Sequence, residues 1–205
     1  LDGIKAGQAT VMVKPVKEHR FLAVFRGEDL SDEVSDTDPQ QTGEPAKKAS
    51  PADKIAEKTA EMINNFVEQA KEKLSNKYPA NMILLRGFSK YPHLPGMNDI
   101  YSLKAAAIAM YPMYRGLSRL VGMEVIDEGS SIEDEFNILK KEYENYDFLF
   151  LHIKQSDSAG EDGDFDRKVR AIEEVDGLIP IINDLGPDVL VITGDHSTPA
   201  GLKSH

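Results

Sequence analysis

The chain has 205 residues, of which 40% are hydrophobic and 29% charged, and 24 basic against 35 acidic side chains leave a net charge of −11. That length can bury a sizeable core in one large or two small domains. The negative charge argues against nucleic acid or an anionic membrane as partner, though not against a small anionic substrate held by local arginines or a metal.

The lack of cysteine excludes disulfides, zinc–thiolate sites and iron–sulfur clusters. It fits a reducing compartment, so a cytoplasmic location is expected. No run of about 18 apolar residues offers a transmembrane helix. The chain opens Leu-Asp-Gly, with neither an initiator Met nor a signal pattern, which suggests part of a longer product.

Along the chain, the first pattern is "ATVMVKPVKEHRFLAVFRGEDL", which reads as two strands with a turn near Lys14 to His19. Ser31 to Ser50 is polar and reads as a long loop. Ser50-Pro51-Ala52-Asp53 resembles a helix start, with Ser50 as cap and Pro51 in the first turn. Ile55, Thr59, Met62, Ile63, Phe66, Val67, Ala70 and Leu74 follow at helical spacing, predicting one apolar face to about Lys77. Met82 to Leu85 reads as a short strand. The Pro/Gly/Asn-rich stretch from Tyr91 to Asp99 marks a boundary, giving domains 1–97 and 98–205.

Beyond it, Leu103 to Ala109 looks helical and Tyr114 to Val121 predicts a second short helix. Met123 to Ile126 predicts a strand, Ser131 to Asn145 an amphipathic helix, and Phe148 to Ile153 a strand. Asp164 to Asn183 predicts a helix and Val189 to Thr193 a last strand. Strands alternating with helices imply an α/β class with a parallel sheet, preceded by a smaller α+β domain.

In open parallel sheets, ligands sit beyond the carboxyl ends of strands. Two expected strands end in suitable loops. One holds Asp157, Glu161, Asp162, Asp164 and Asp166; the other holds Asp195, His196 and His205. Oxygen and imidazole donors together suit a divalent ion such as Mn²⁺, Zn²⁺ or Co²⁺. The alternative is a pair of solvated acidic loops. "DGD" also looks like a calcium loop, but the EF-hand spacing is missing.

"TGDHSTP" followed by "LKSH", together with "HIKQSDSAGEDGDFDRKVRAIEEVD", resembles the archaeal-type, 2,3-bisphosphoglycerate-independent phosphoglycerate mutases of the alkaline phosphatase superfamily. "EHRFLAVFRGEDLSDEVSDTDP" resembles the same family's substrate-side domain. The resemblance implies part of an alkaline-phosphatase-like parallel-sheet domain beside a smaller α+β domain on the substrate side. It implies interconversion of 3-phosphoglycerate and 2-phosphoglycerate through a metal-activated phosphoserine, without 2,3-bisphosphoglycerate.

Two divalent ions are implied, Mn first, with Mg, Zn or Co as alternatives. Asp195 and His196 match the pair that binds the nucleophile's metal, and Asp157 and His205 match ligands of the second. Glu161 stands where related mutases have a histidine; glutamate can still bind Mn²⁺, and a non-ligating Glu161 is the alternative.

The family's serine nucleophile would precede Leu1, so the fragment itself is expected to be inactive. Its sheet is expected to lack strands, which a second copy could cover as a homo-oligomer. A phosphorylated acid needs planar, bidentate donors, and the resemblance points to His19, Arg20, Arg26, Asp36, Asp38 and Arg86. Surface pairing of these arginines with surplus acids is the plainer reading of any one of them. His93 and His152 read as structural. A metal-dependent phosphomonoester or phosphonate hydrolase of the same superfamily, and a non-catalytic metal- or partner-binding descendant, are the rival readings.

Overall fold

A computed structural model describes residues 1–7, 9–16, 19–126 and 129–204. The chain divides into two compact units, Leu1–Pro92 and His93–His205.

In the first unit, β1 (Lys5–Ala6), β2 (Ala9–Pro15) and β3 (Phe21–Arg26) form an antiparallel sheet in that order. The β2–β3 register runs from Thr10 opposite Arg26 to Pro15 opposite Phe21. Helix α1 (Glu57–Leu74) buries Met62, Ile63, Phe66, Val67 and Ala70. These residues share one core with Ile4, Ala6 and Val11, and Phe25 meets the Phe66 ring edge-on at 5.3 Å. The apolar stripe read from the sequence is therefore the packed face.

The helix start is not where the sequence placed it. Ser50 and Ala52 exchange backbone hydrogen bonds with Ser35 and Glu33, and Pro51 bridges Val34. With its backbone satisfied across the loop, residues 50–53 have no reason to coil. The N-cap is Ala56, without a side-chain cap, and Ile55 is 72% exposed rather than on the buried face.

Met82 to Leu85 likewise joins no sheet. Its side chains alternate, with Ile83 and Leu85 buried, but the backbone of Leu85 is taken by Thr37 alone. The Thr37 N–H donates to the Leu85 carbonyl at 2.8 Å, and the Leu85 N–H donates to Thr37 Oγ1 at 2.7 Å. The 31–50 loop is held to α1 by Asn64, whose amide bonds both backbone groups of Ala49 at 2.9 Å.

The second unit opens with α2 (Met97–Tyr101). It is built on a parallel sheet of β4 (Ala105–Ala109), β5 (Glu124–Ile126) and β6 (Phe148–His152), with β4 in the centre. The expected helix over Leu103 to Ala109 is thus a strand. All five residues of β4 are buried, and β4 bonds β5 on one side and β6 on the other. A strand covered on both faces reads as an unbroken apolar run, which periodicity cannot separate from a buried helix. Ala105 and Ala107 pack with Met123 in one cluster, and Ile108 packs with Ile132, Phe136 and Ile182 in another. Alternate residues of a strand project to opposite faces, so the sheet is covered on both.

The covering helices are α3 (Pro112–Leu120), α4 (Ile132–Glu142, continued by a short turn at Tyr143–Asn145) and α6 (Phe165–Asp184). Ser131 caps α4 as a capping box with Asp134. The loop expected after β6 is a short helix, α5 (Gln155–Glu161). Val189 to Thr193 forms no strand. Val189, Val191 and Ile192 are 77, 73 and 68% exposed. Among the described residues no strand pairs with this run, so its backbone has no ladder to join. No helix among them is long and apolar enough to cross a membrane.

Glu135 of α4 is fully buried, and neither carboxylate oxygen has a hydrogen-bond partner among the described residues. Burial pushes its carboxyl up to about 7 from 4.5; the Met110 backbone opposes this and Asp134 adds to it. The unfolded chain releases this proton near 4.5 and the folded chain keeps it to about 7. Stability from this group is therefore full below 4.5 and is lost as pH rises through 7. Glu135→Gln should remove that slope. Urea unfolding should find wild type losing about 2 to 3 kcal/mol relative to the variant between pH 5 and 8. Parallel pH profiles would show that Glu135 is ionised in the fold.

Candidate metal centre

The carboxyl end of β6 leads into α5, which carries Asp157 and Glu161, and that of β4 leads into α3, which carries Tyr114. Because α5 is helical, Asp157 and Glu161 stand four residues apart on one face. The turn carrying Asp195 and His196 is joined to α5 by Thr198, which is buried. Thr198 Oγ1 donates to Asp157 Oδ1 at 2.5 Å and lies 3.1 Å from His196 Nδ1. A hydroxyl that gives its hydrogen to a carboxylate must accept from the imidazole. The Ser197 carbonyl, 3.3 Å from the same nitrogen, is also an acceptor. Both contacts assign the proton to Nδ1. Nε2 is then an electron-pair donor facing Asp195 Oδ2 at 3.5 Å.

Each carboxylate already has protein donors. Tyr114 of α3 donates its hydroxyl to Asp195 Oδ2 at 2.6 Å. That bond, and the desolvation around it, push the Tyr114 hydroxyl up to about 12. The same bond holds the Asp195 carboxyl below its usual range, against a smaller opposing effect of burial. Asp157 is also held low: burial would raise it, but donors from Lys154 and Thr198 outweigh burial. The Tyr114 ring stacks on His152 at 3.6 Å. Burial lowers the His152 imidazole, and its Nδ1 has no hydrogen-bond partner among the described residues.

Two ligands of one ion, each 2.0–2.2 Å from it, can be at most about 4.4 Å apart. Asp195 Oδ2 and the lone-pair nitrogen His196 Nε2 are 3.5 Å apart, within that limit, whereas the nitrogen 3.9 Å from Asp157 Oδ1 is the protonated Nδ1 and is not a ligand atom. In donor type and spacing Asp195 and His196 fit one divalent cation, and Asp157 adds a carboxylate tied to His196 through Thr198. No three histidine, aspartate or glutamate side chains converge on one point among the described residues. His205, expected as a ligand, lies outside the described residues. Glu161 Oε2 lies 3.9 Å from Lys154 Nζ.

The expected substrate residues lie in the first unit, and not all come together. Asp36, Asp38 and Arg86 do. The Gly87 N–H donates to Asp36 Oδ1 at 2.9 Å, and Arg86 Nη1 lies 3.9 Å from Asp38 Oδ2. Arg20 precedes β3 and Arg26 ends it, so the extended backbone separates them by about 20 Å. His19 lies beside Arg20 at the hairpin tip, exposed.

Tyr114, Lys154 and Thr198 were not singled out from sequence. Thr198, two residues past His196, had the one available signal: a short polar side chain in the same turn. Tyr114 and Lys154 sit in different elements, and only the sheet brings them to this edge.

A family profile described as the Metalloenzyme superfamily matches residues 32–205. The chain is similar to the probable 2,3-bisphosphoglycerate-independent phosphoglycerate mutase of Thermosipho africanus, 51% identical over 191 residues that cover 93% of this chain and 48% of that protein. A protein of the same description from Thermosipho melanesiensis is 48% identical over 201 residues, covering 98 and 50%. The chain thus spans about half the length of the curated relatives it matches. Among solved structures, the PH0037 protein from Pyrococcus horikoshii aligns with a TM-score of 0.72 at 26% identity, over 97% of this chain and 52% of that one. The cofactor-independent phosphoglycerate mutase from Thermoplasma acidophilum aligns with a TM-score of 0.56 at 30% identity, over 74 and 46%.

The approach of α5 to the Thr198 turn depends on Gly160. A Cβ there would lie 2.2 Å from the Thr198 carbonyl oxygen, which as backbone cannot swing away. Gly160→Ala should lower stability by about 1 to 3 kcal/mol. Gly177 in α6 has nothing within 4 Å of such a Cβ, and Gly177→Ala should raise stability by about 1 kcal/mol. Thermal unfolding of the two variants checks this; equal behaviour would mean that the α5 contact is not tight.

Proposed function

The chain belongs to the Metalloenzyme superfamily, and we propose from that premise that it is part of an enzyme interconverting 3-phosphoglycerate and 2-phosphoglycerate in a glycolytic, cytoplasmic setting. The observation that carries the reading is the Thr198-centred junction. It joins Asp157 to His196 and presents His196 Nε2 to Asp195. Support also comes from relatives of that description about half identical over nearly the whole chain.

In this reading Asp157, Glu161, Asp195 and His196 hold two divalent cations, Mn first, with Mg, Zn or Co as alternatives. His205 joins them on its sequence position alone. When bound, such ions stabilise charge on a transferring phosphoryl group and lower the pKa of a nucleophile. Tyr114 orients Asp195, and Thr198 sets the His196 tautomer. A serine nucleophile is not assigned within this chain.

In the first unit, Arg86, Asp36 and Asp38 form the cluster proposed for the phosphoglycerate, with a backbone N–H at Gly87. His19, Arg20 and Arg26 remain proposed contacts, but the hairpin places Arg20 and Arg26 at opposite ends of β3, so they do not form one clamp.

The test follows 3-phosphoglycerate by phosphorus NMR with a full-length protein carrying this chain and Mn²⁺. 2-Phosphoglycerate should appear without added 2,3-bisphosphoglycerate, and EDTA should abolish it. Arg86→Ala should lower kcat/KM by at least about tenfold, the equivalent of one lost charge-assisted bond. Release of inorganic phosphate alone would make the protein a hydrolase and sink the mutase reading.

A further inference from the structure

Lys154, Asp157 and Glu161 occupy positions i, i+3 and i+7 of one stripe at the start and along the face of α5. Lys154 is the N-cap residue, a place where the helix dipole disfavours a cation. Helix formation therefore does not explain it; its neighbours do. Its Nζ donates to Asp157 Oδ2, lies 3.9 Å from Glu161 Oε2, and sits 5.4 Å from the centre of the Tyr111 ring. The Lys154 and Asp157 side chains are only 21 and 16% exposed. Two carboxylates four residues apart repel each other when nothing positive stands between them. Here an ammonium does, with an aromatic face on a further side.

The remaining Asp157 oxygen, Oδ1, already accepts from Thr198. Both Asp157 oxygens thus carry protein donors. Each oxygen keeps a further lone pair for a cation, but a divalent cation bound there repels the adjacent ammonium, whose charge it replaces. Thr198 is fixed by the Lys168 bond to its carbonyl at 2.7 Å and by the close approach of Gly160. Lys154 is tethered only by a flexible stem.

We propose that Lys154 is a resident counter-ion that a divalent cation exchanges for at Asp157 and Glu161. The ammonium holds the two carboxylates in register while no metal is bound and withdraws when one binds. This rests on the reading of Asp157 and Glu161 as metal ligands. It makes Lys154 a positioning residue, acting through the ligands rather than on substrate.

Two measurements on a full-length protein carrying this chain test the exchange. The first is acylation of lysines, read by mass spectrometry with and without Mn²⁺, using exposed Lys140 of α4 as internal reference. Labelling of Lys154 relative to Lys140 should rise several-fold when Mn²⁺ is added. The second is calorimetric titration with Mn²⁺. Lys154→Met should bind up to about fivefold more tightly, the equivalent of one partly exposed ion pair, and Lys154→Arg should not. If Mn²⁺ binds but Lys154 labelling is unchanged or falls, the exchange is overturned while the metal reading stands. If wild type binds no divalent ion at all, the metal reading fails and takes the exchange with it. If Lys154→Met does not fold by circular dichroism, labelling of the wild type decides alone.

Discussion

The closeness of α5 to the Thr198 turn is the constraint on which the rest of the candidate centre depends. Gly160 admits the Thr198 carbonyl where any side chain would collide, and Lys168 of α6 then bonds that carbonyl. With its backbone so held, the Thr198 hydroxyl has one place to point, between Asp157 and His196. One small residue on a short helix thereby sets a carboxylate, a tautomer and the spacing between them. Loosening it would cost no large apolar contact, yet it would uncouple groups 41 residues apart in sequence.

What could be read from the sequence follows from what each element answers to. The stripe of α1, the helices at 132–142 and 165–184 and the β2–β3 hairpin are amphipathic or bounded by turn residues, so local pattern reports their surroundings. The strand at Ala105–Ala109 has no polar side to display. Alanine favours helix in isolation, and only the neighbouring strands on both edges decide otherwise. The short helix at Gln155–Glu161 has the reverse problem, being polar with too few apolar residues to show a period. The run from Val189 to Thr193 has strand composition but no described partner, and composition cannot supply one. At the centre itself, Asp157, Asp195 and His196 were legible as residue types in polar stretches after apolar runs, although only the run before Asp157 is a strand. Tyr114, Lys154 and Thr198 were not, because their roles arise from tertiary neighbours.

The second unit treats its carboxylates in two opposite ways. Asp157 and Asp195 lie at the sheet edge among hydroxyl and ammonium donors, which hold both in the ionised form despite partial burial. Glu135 lies inside, where neither oxygen meets the hydrogen-bond geometry among the described residues, and burial outweighs the nearby Met110 backbone and pushes its carboxyl up to about 7. The difference is one of donors more than of depth: a buried charge survives where hydrogen bonds replace water, and is lost where they do not.

That contrast bears on how a chain with net charge −11 can keep an acidic centre assembled. Charges of one sign gathered at a sheet edge would spread the loops that carry them. Here the acidic groups at the edge meet donors from three places: Tyr114 from α3, Lys154 from the start of α5 itself, and Thr198 from the turn beyond α6. Tyr114 and Thr198 tie separate elements together, while Lys154 offsets the repulsion within α5. A divalent cation would supply more charge at fewer bonds, so its arrival would favour release of the most weakly tethered donor. By tether length and competing bonds, that donor is Lys154, whereas Tyr114 is fixed by its stack on His152 and Thr198 by its backbone.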